Sequence, residues 1–284
     1  MDRQLYTIPL PDGRTLSLGA RTLVMGIVNV TPDSFSDGGV RFDPERAIGD
    51  ALRMVDDGAD LLDIGGESTR PGADPLPAEE ELRRIMPVIE GVAAKTRVPI
   101  SVDTYKANVA SRAMDAGATI INDVSALQYE PPLATIAAER SAALILMHNR
   151  GRSRAMYAEA SYADVVAEVG VELQRQAQLA VDAGVARDRI ILDPGLGFAK
   201  RAGQSLEVLA GLGALASLGY PLLSGPSRKS FLKEGLGDVP PGERIWGTAA
   251  AVTASVLFGA HIVRVHDVRE MVQVVRVADT IKSQ

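Results

Sequence analysis

Arg264 and His266 stand two residues apart at the end of an apolar run, His261 to Val265. On a strand that spacing puts both side chains on one face and Val263 and Val265 on the other. A cationic pair aimed into a protein interior is costly unless it meets an anion, so the pair points to an anionic ligand. Gly225-Pro226-Ser227-Arg228-Lys229-Ser230-Phe231 offers similar chemistry. A glycine, hydroxyls and adjacent cations entering a helix would hold a phosphate or carboxylate, although the spacing is not that of a nucleotide P-loop. Gly65-Gly66-Glu67-Ser68-Thr69-Arg70-Pro71-Gly72 adds amides that can approach an anion, with Ser, Thr and Arg donors beside them. Acids and amides gather elsewhere: Asp103 follows Val98–Val102, Asn122 and Asp123 follow Ala118–Ile121, and Asp193 follows Arg189–Leu192. Two carboxylates and an amide facing one space suit a ligand rich in N–H donors, such as an amino-pyrimidine ring. The same residues read alternatively as a divalent-metal site or as helix caps, and for Asp123 capping is at least as good a reading. Asn29 opens a long loop, Asn29–Gly39, carrying an amide oxygen, two carboxylates, hydroxyls and Phe35. His261 begins its run and reads as structural; His148, just past the end of its run, stays open. No Ser-His-Asp grouping and no zinc-like histidine spacing is present.

These residues share a position: each follows a short apolar run. Eight such runs occur, at Leu23–Val28, Asp60–Ile64, Val98–Val102, Ala118–Ile121, Ala142–Met147, Arg189–Leu192, Tyr220–Leu223 and His261–Val265. A continuous apolar run is the mark of a strand buried on both faces in a parallel sheet. Helix-period stretches lie between them: Pro44–Asp57, Ala78–Ala94, Tyr105–Ala116, Tyr162–Ala183, Leu206–Leu218, Ile245–Phe258 and Val268–Ile281, with a shorter segment at Pro131–Arg140. Eight strand–helix units predict an α/β fold, a (β/α)8 TIM barrel, whose chemistry sits at the strands' C-terminal ends. Leu5–Leu10 and Thr15–Ala20 flank Pro11-Asp12-Gly13-Arg14, a hairpin signal. The expectation is a single domain, 1–284, whose residues 1–20 form a hairpin across the barrel's N-terminal end.

Composition agrees. Hydrophobic residues make up 46% of the 284, while aromatics are only 4%, so Leu, Val, Ile and Ala must fill the core. A net charge of −6 argues against a general nucleic-acid binder. The absence of cysteine removes thiolate chemistry and disulfides. No run approaches membrane-spanning length and Met1–Leu10 has no apolar signal core, so a soluble cytoplasmic protein is expected.

Met25–Gly39 (MGIVNVTPDSFSDGG) and Gly65–Ala73 (GGESTRPGA) resemble the two signatures of the dihydropteroate synthases. SVDTYKANVA, INDVSAL, LDPGLGF, GPSRKSF, RIWGTAAAV and RVHDV follow in the same order, so the resemblance covers nearly the whole chain. It implies a (β/α)8 barrel, a homodimer through the last helices, and condensation of 6-hydroxymethyl-7,8-dihydropterin diphosphate with p-aminobenzoate, releasing diphosphate with Mg²⁺ as cofactor. It further implies that Asp103, Asn122, Asp193 and Lys229 hold the pterin, with Val124, Met147 and Gly225 against its ring. Asn29 would help hold Mg²⁺. Asn29, Thr69, Arg70, Arg264 and His266 would bind the diphosphate, and Phe35, Thr69, Pro71, Phe198, Lys229 and Ser230 the p-aminobenzoate. The catalytic set it implies is Asp37, Arg70, Lys229, Arg264 and His266. Two departures stand out: Ala199-Lys200 where the family commonly has Gly-Lys, and Gln204-Ser205 where it commonly has His-Asn.

Two other readings share the acid and amide floor. A pterin-dependent methyltransferase would need no diphosphate site, which Arg264, His266 and the Thr69-Arg70 loop supply. A non-catalytic pterin binder should have lost loop residues, and both loops look intact. Val274, Val277 and Ile281 lie at helical spacing and serve equally for a dimer face or for packing on the barrel.

Overall fold

The computed structural model describes residues 3–31, 43–68, 74–151 and 160–284. Eight parallel strands form the barrel: β3 (Leu23–Asn29), β4 (Leu61–Gly65), β5 (Ile100–Asp103), β6 (Ile120–Asp123), β7 (Ala143–Met147), β8 (Ile190–Asp193), β9 (Leu223–Ser224) and β10 (Ile262–Val265). They hydrogen-bond in the order β8-β7-β6-β5-β4-β3-β10-β9. A parallel bridge between Leu192 and Leu222, with Leu192 N–H donating to Pro221 O at 3.0 Å, brings β8 and β9 together and closes the ring. Strand β9 is two residues long, shorter than its apolar run, because Pro221 has no N–H to give a ladder.

Among the described residues ten helices surround it: α1 (Pro44–Asp56), α2 (Ala78–Ala93), α3 (Ala107–Asp115), α4 (Pro132–Glu139), α5 (Val165–Asp182), α6 (Ala202–Ala210), α7 (Leu212–Leu215), α8 (Lys233–Leu236), α9 (Ile245–Leu257) and α10 (Val268–Lys282). Helix α1 starts as its sequence dictates: Asp43 accepts from the Glu45 amide at 3.0 Å and Pro44 takes the first position. The stretch expected as one helix over Leu206–Leu218 breaks into α6, α7 and a 3-10 turn. Gly211 marks the break, where a side chain would come within 2.7 Å of Val166. Tyr105, expected in a helix, sits in the loop before α3.

The strands alternate as barrel strands must. Val24, Leu62, Val102, Ile121, Leu144, Leu192, Val263 and Val265 face the helices. Leu23, Met25, Leu61, Ile120, Ala143, Ile145, Ile191, Leu223 and Ile262 fill the lower lumen. The hairpin of β1 (Tyr6–Pro9) and β2 (Thr15–Leu18) lays Ile8, Leu10, Leu16 and Leu18 against that lumen layer. Each is 6% exposed or less, a burial that contributes roughly 1.5–3 kcal/mol per side chain. The hairpin is thus the floor of the barrel, as its sequence predicted.

His261 belongs to this floor. Its Nδ1 accepts the Leu222 N–H at 3.1 Å, its Nε2 faces Gln4 O at 3.0 Å, and its ring meets Tyr6 edge-on. Burial pushes its pKa down to about 4, and His148 likewise falls to about 4 through burial and the adjacent Lys200. Both are therefore neutral when folded and take up a proton on unfolding below pH 6.5. Their stabilisation is full above pH 6.5 and is lost as pH falls toward 4. The unfolding free energy should drop over that window, each group adding about 1.4 kcal/mol per pH unit to the slope. His261→Gln should remove one share without altering turnover; urea titrations at pH 6.5 and 4.5 that give wild type and variant the same slope would refute this.

Candidate active site at the strands' C-terminal ends

Above the apolar lumen lies a polar layer that the sequence shows only in part. Asp63, in the middle of β4, is fully buried and points inward between Leu61 and Gly65. One of its oxygens, Oδ2, accepts from Arg264 Nε at 2.5 Å and Asn122 Nδ2 at 2.9 Å. Arg264 Nη2 donates to Asp103 Oδ2 at 2.7 Å. Burial works against the charge on Arg264, but Asp63 and Asp103 outweigh it and hold its pKa above the ordinary value. Burial pushes Asp103 up to about 7, opposed mainly by Arg264. Because the Asn122 NH₂ is taken by Asp63, its amide oxygen is the atom left to receive a ligand's N–H. Asp63 was missed as a site residue. Its signal was a lone carboxylate inside an apolar run at an inward-facing position.

This corrects the picture of acids on one side and cations on the other. Arg264 lies among the acids, with Nε and Nη2 committed to Asp63 and Asp103. Two of its five N–H donors are thus used by the acids.

Asp193 ends β8 and is buried; Oδ1 accepts the Gly195 N–H at 2.7 Å. Burial raises its pKa, opposed by that N–H and by Lys229 and Arg264. Lys229 reaches in from the loop after β9. Its Nζ donates to Leu196 O at 3.1 Å and lies 3.8 Å from the centre of the Phe198 ring. Burial brings its pKa down to about 7 despite Asp193. Tyr105, Val124 and Met147 form a buried apolar cluster edged by Tyr129 and Phe198. A flat ring lying on Met147 and Val124 would have Asp193, Asn122 and Asp103 at its rim. A side chain at Gly225 would meet Arg264, its Cβ lying 3.8 Å from that of Arg264.

Asp123 is not part of the bowl. Its Oδ1 accepts from the Ser125 amide and hydroxyl at 2.8 and 2.7 Å and its Oδ2 from the Leu127 amide at 2.6 Å, so it caps the turn that holds Ala126 and Leu127 at positive φ. The expected cap is thus of a turn and not of a helix, since the next helix starts at Pro132.

His266, Asn29, Thr31, Ser68, Ser227, Lys229, Ser230 and Arg264 line a cavity of about 1070 Å³ that also reaches Asp103 and Phe198. The Ser227 hydroxyl receives the His266 amide at 3.2 Å and lies 3.0 Å from His266 Nδ1. These two contacts tie the loop after β9 to the end of β10. The two neighbouring cations of the loop have separate jobs. Arg228 adopts a left-handed φ of 58° and binds both oxygens of Asp267, tying the loop after β9 to the one after β10, while Lys229 enters the bowl. Ser230–Leu232 is a 3-10 turn, and with α8 only four residues long there is no extended helix N-terminus of the kind expected. Phe35, Asp37, Thr69, Arg70 and Pro71 lie outside the described residues.

Among the described residues no group of three or more His, Cys, Asp or Glu could hold a metal ion. Asn29 still fits a magnesium ion. Mg²⁺ keeps several waters and takes one or two protein oxygens plus substrate phosphates, and one amide oxygen at the cavity wall beside His266 is a donor set of that kind. No helix among the described residues is long and apolar enough to cross a membrane.

Residues 25–266 match the family model described as pterin binding enzyme. The dihydropteroate synthase of Synechocystis sp. is 47% identical over 96% of this chain and 95% of its own length. Among solved structures, dihydropteroate synthase of Xanthomonas albilineans with 4-aminobenzoic acid superposes with a TM-score of 0.90 at 44% identity, covering 98% of this chain and 100% of its own. The same enzyme in complex with 7,8-dihydropteroate gives 0.88 at 41% identity, covering 98% and 99%.

Proposed function

From a chain that belongs to the pterin-binding enzymes and, among them, to the dihydropteroate synthases, we propose the following division of the site. The reaction joins 6-hydroxymethyl-7,8-dihydropterin diphosphate to p-aminobenzoate, giving 7,8-dihydropteroate and diphosphate, a step of folate biosynthesis. The observation that carries the division is the set of inward acceptors at three strand tips, Asp103, Asn122 and Asp193, around one apolar wall. A pterin presents ring N–H and amino donors on one edge and a flat π face, and these acceptors and Met147 and Val124 match them in kind. Lys229 closes the far side of the ring.

The diphosphate then faces Asn29, Arg264 and His266, with Thr69 and Arg70 from the second loop. When bound, Mg²⁺ offsets charge on the departing diphosphate, and Asn29 would hold it. The protein's own donors act on that same charge as it develops. The C–O bond at the pterin's exocyclic methylene breaks first, and the electron-rich pterin spreads the positive charge left on that carbon. The p-aminobenzoate nitrogen attacks it and then loses its proton. An aryl amine is neutral at pH 7, so its lone pair needs no strong base. Phe198, Lys229 and Ser230, with Phe35, Thr69 and Pro71, surround p-aminobenzoate in this reading. Asp37 and Arg70 complete the site from the two long loops.

A homodimer through the last helices belongs to the same reading. Val277 and Ile281 of α10 are 62% and 56% exposed and Trp246 of α9 is 79% exposed, while Val274 packs on the core. A cytoplasmic location belongs to the same reading.

Calorimetry on wild type and Asn29→Ala tests the division. Plain pterin should bind both alike, and without help from Mg²⁺. The diphosphate substrate should bind wild type more tightly with Mg²⁺, by about tenfold, and Asn29→Ala should lose most of that gain. An undiminished gain in the variant would remove Asn29 from the metal's shell.

A further inference from the structure

The loop that follows β8 bends through left-handed backbone. Gly195, Gly197 and Ala199 all have positive φ, at 65°, 78° and 47°. At Gly195 a side chain would come within 2.0 Å of the His148 carbonyl, so glycine is required. At Ala199 the left-handed backbone persists with a Cβ present, which is a strained arrangement. Asp193 accepts the Gly195 N–H, Ser205 the Gly197 N–H, and Tyr162 donates to the Ala199 carbonyl; Lys200, the next residue, adds the buried grip.

Lys200 is 1% exposed. Its Nζ lies 2.8 Å from His148 Nδ1, 3.0 Å from Phe198 O and 3.1 Å from Gly195 O. Three acceptors match the three N–H bonds of an ammonium, while burial brings the Lys200 pKa down to about 7, opposed by Asp193. With its Nδ1 accepting, His148 carries its proton on Nε2 and donates to Glu172 Oε2 at 3.0 Å. Glu172 projects from α5 and is also held by Arg150. The chain Lys200–His148–Glu172 thus anchors the loop from behind to a helix. From the front, Lys229 holds the same loop through Leu196 O and the Phe198 ring.

We propose that Lys200 is a positioning residue for the second substrate. By gripping the Gly195 and Phe198 carbonyls it fixes the position of the Phe198 ring. The proposal rests on the assignment of Phe198 to p-aminobenzoate. The pterin floor depends on it less, because Asp193, Asn122 and Asp103 sit on strands.

The test is steady-state kinetics of wild type, Lys200→Met and Glu172→Gln with p-aminobenzoate varied, beside calorimetric titration with plain pterin. Lys200→Met is expected to raise the KM for p-aminobenzoate about tenfold or more, with pterin affinity changed less than about threefold. Glu172→Gln, on a partly exposed helix face, is expected to shift the same KM in the same direction by about threefold. An unchanged KM in Lys200→Met overturns the proposal, as does pterin affinity falling in step with KM, which would mark a general structural role. If Lys200→Met does not fold, Glu172→Gln decides: a raised KM supports the proposal and an unchanged one overturns it. Wild type that fails to saturate with p-aminobenzoate would instead contradict the underlying substrate assignment.

Discussion

Arg264→Ala is expected to lower the unfolding free energy by about 3–5 kcal/mol, the cost of removing one partner from a buried ion pair. The guanidinium stands between Asp63, which is fully buried, and Asp103, whose side chain is 12% exposed. Asp63 Oδ1 has no hydrogen-bond partner among the described residues, so the carboxylate depends on Arg264 and Asn122 through its other oxygen. Without the cation, two carboxylates face each other in the lumen, and one must take up a proton. Catalysis should fall with stability, because the same guanidinium holds Asp103 in place at the pterin's edge. Arg264→Met combined with Asp63→Asn removes both charges and should recover most of the stability but not the activity. Urea denaturation of wild type, single and double variants measures this. A single variant within about 1 kcal/mol of wild type would show that the pair does not hold the lumen together.

Asp193→Asn is expected to weaken pterin binding by about 10–100-fold, the loss of a charge-assisted hydrogen bond. The substitution is close to isosteric. Its oxygen can still accept from the Gly195 amide, so the turn after β8 survives. Its NH₂, however, now meets the donors of the pterin edge, and a donor facing a donor is worse than a gap. Binding of p-aminobenzoate should change little, since its proposed contacts lie on loops beyond the strand tip. Calorimetric titration with plain pterin checks the first part, and KM for p-aminobenzoate the second. Equal affinity for pterin in wild type and variant would take Asp193 out of the pterin site.

The barrel was legible in the sequence because its physics is local. Each buried parallel strand must be a short apolar run, and each run ended where the structure ends a strand, at Asn29, Gly65, Asp103 and Asp193. The hairpin floor was legible for the same reason: Asp12-Gly13 between alternating runs specifies both turn and register. The tip residues that face the bowl could be listed from parity alone, which is how Arg264 and His266 were paired. What parity cannot give is which charges meet. Asp63 lies 201 residues from Arg264 and 59 from Asn122, and only closure of the ring brings them together. The chain Lys200–His148–Glu172 was hidden likewise. His148 stayed open because its two partners come from the loop after β8 and from α5. Within the loop after β9, sequence offered Arg228 and Lys229 as one basic pair. A single left-handed residue turns one toward Asp267 and the other into the bowl.

The most direct test of the whole account is diphosphate release from 6-hydroxymethyl-7,8-dihydropterin diphosphate with Mg²⁺, measured with and without p-aminobenzoate. The account predicts release that rises with p-aminobenzoate and is matched mole for mole by 7,8-dihydropteroate. Release indifferent to p-aminobenzoate, or none at all while pterin still binds, would contradict it.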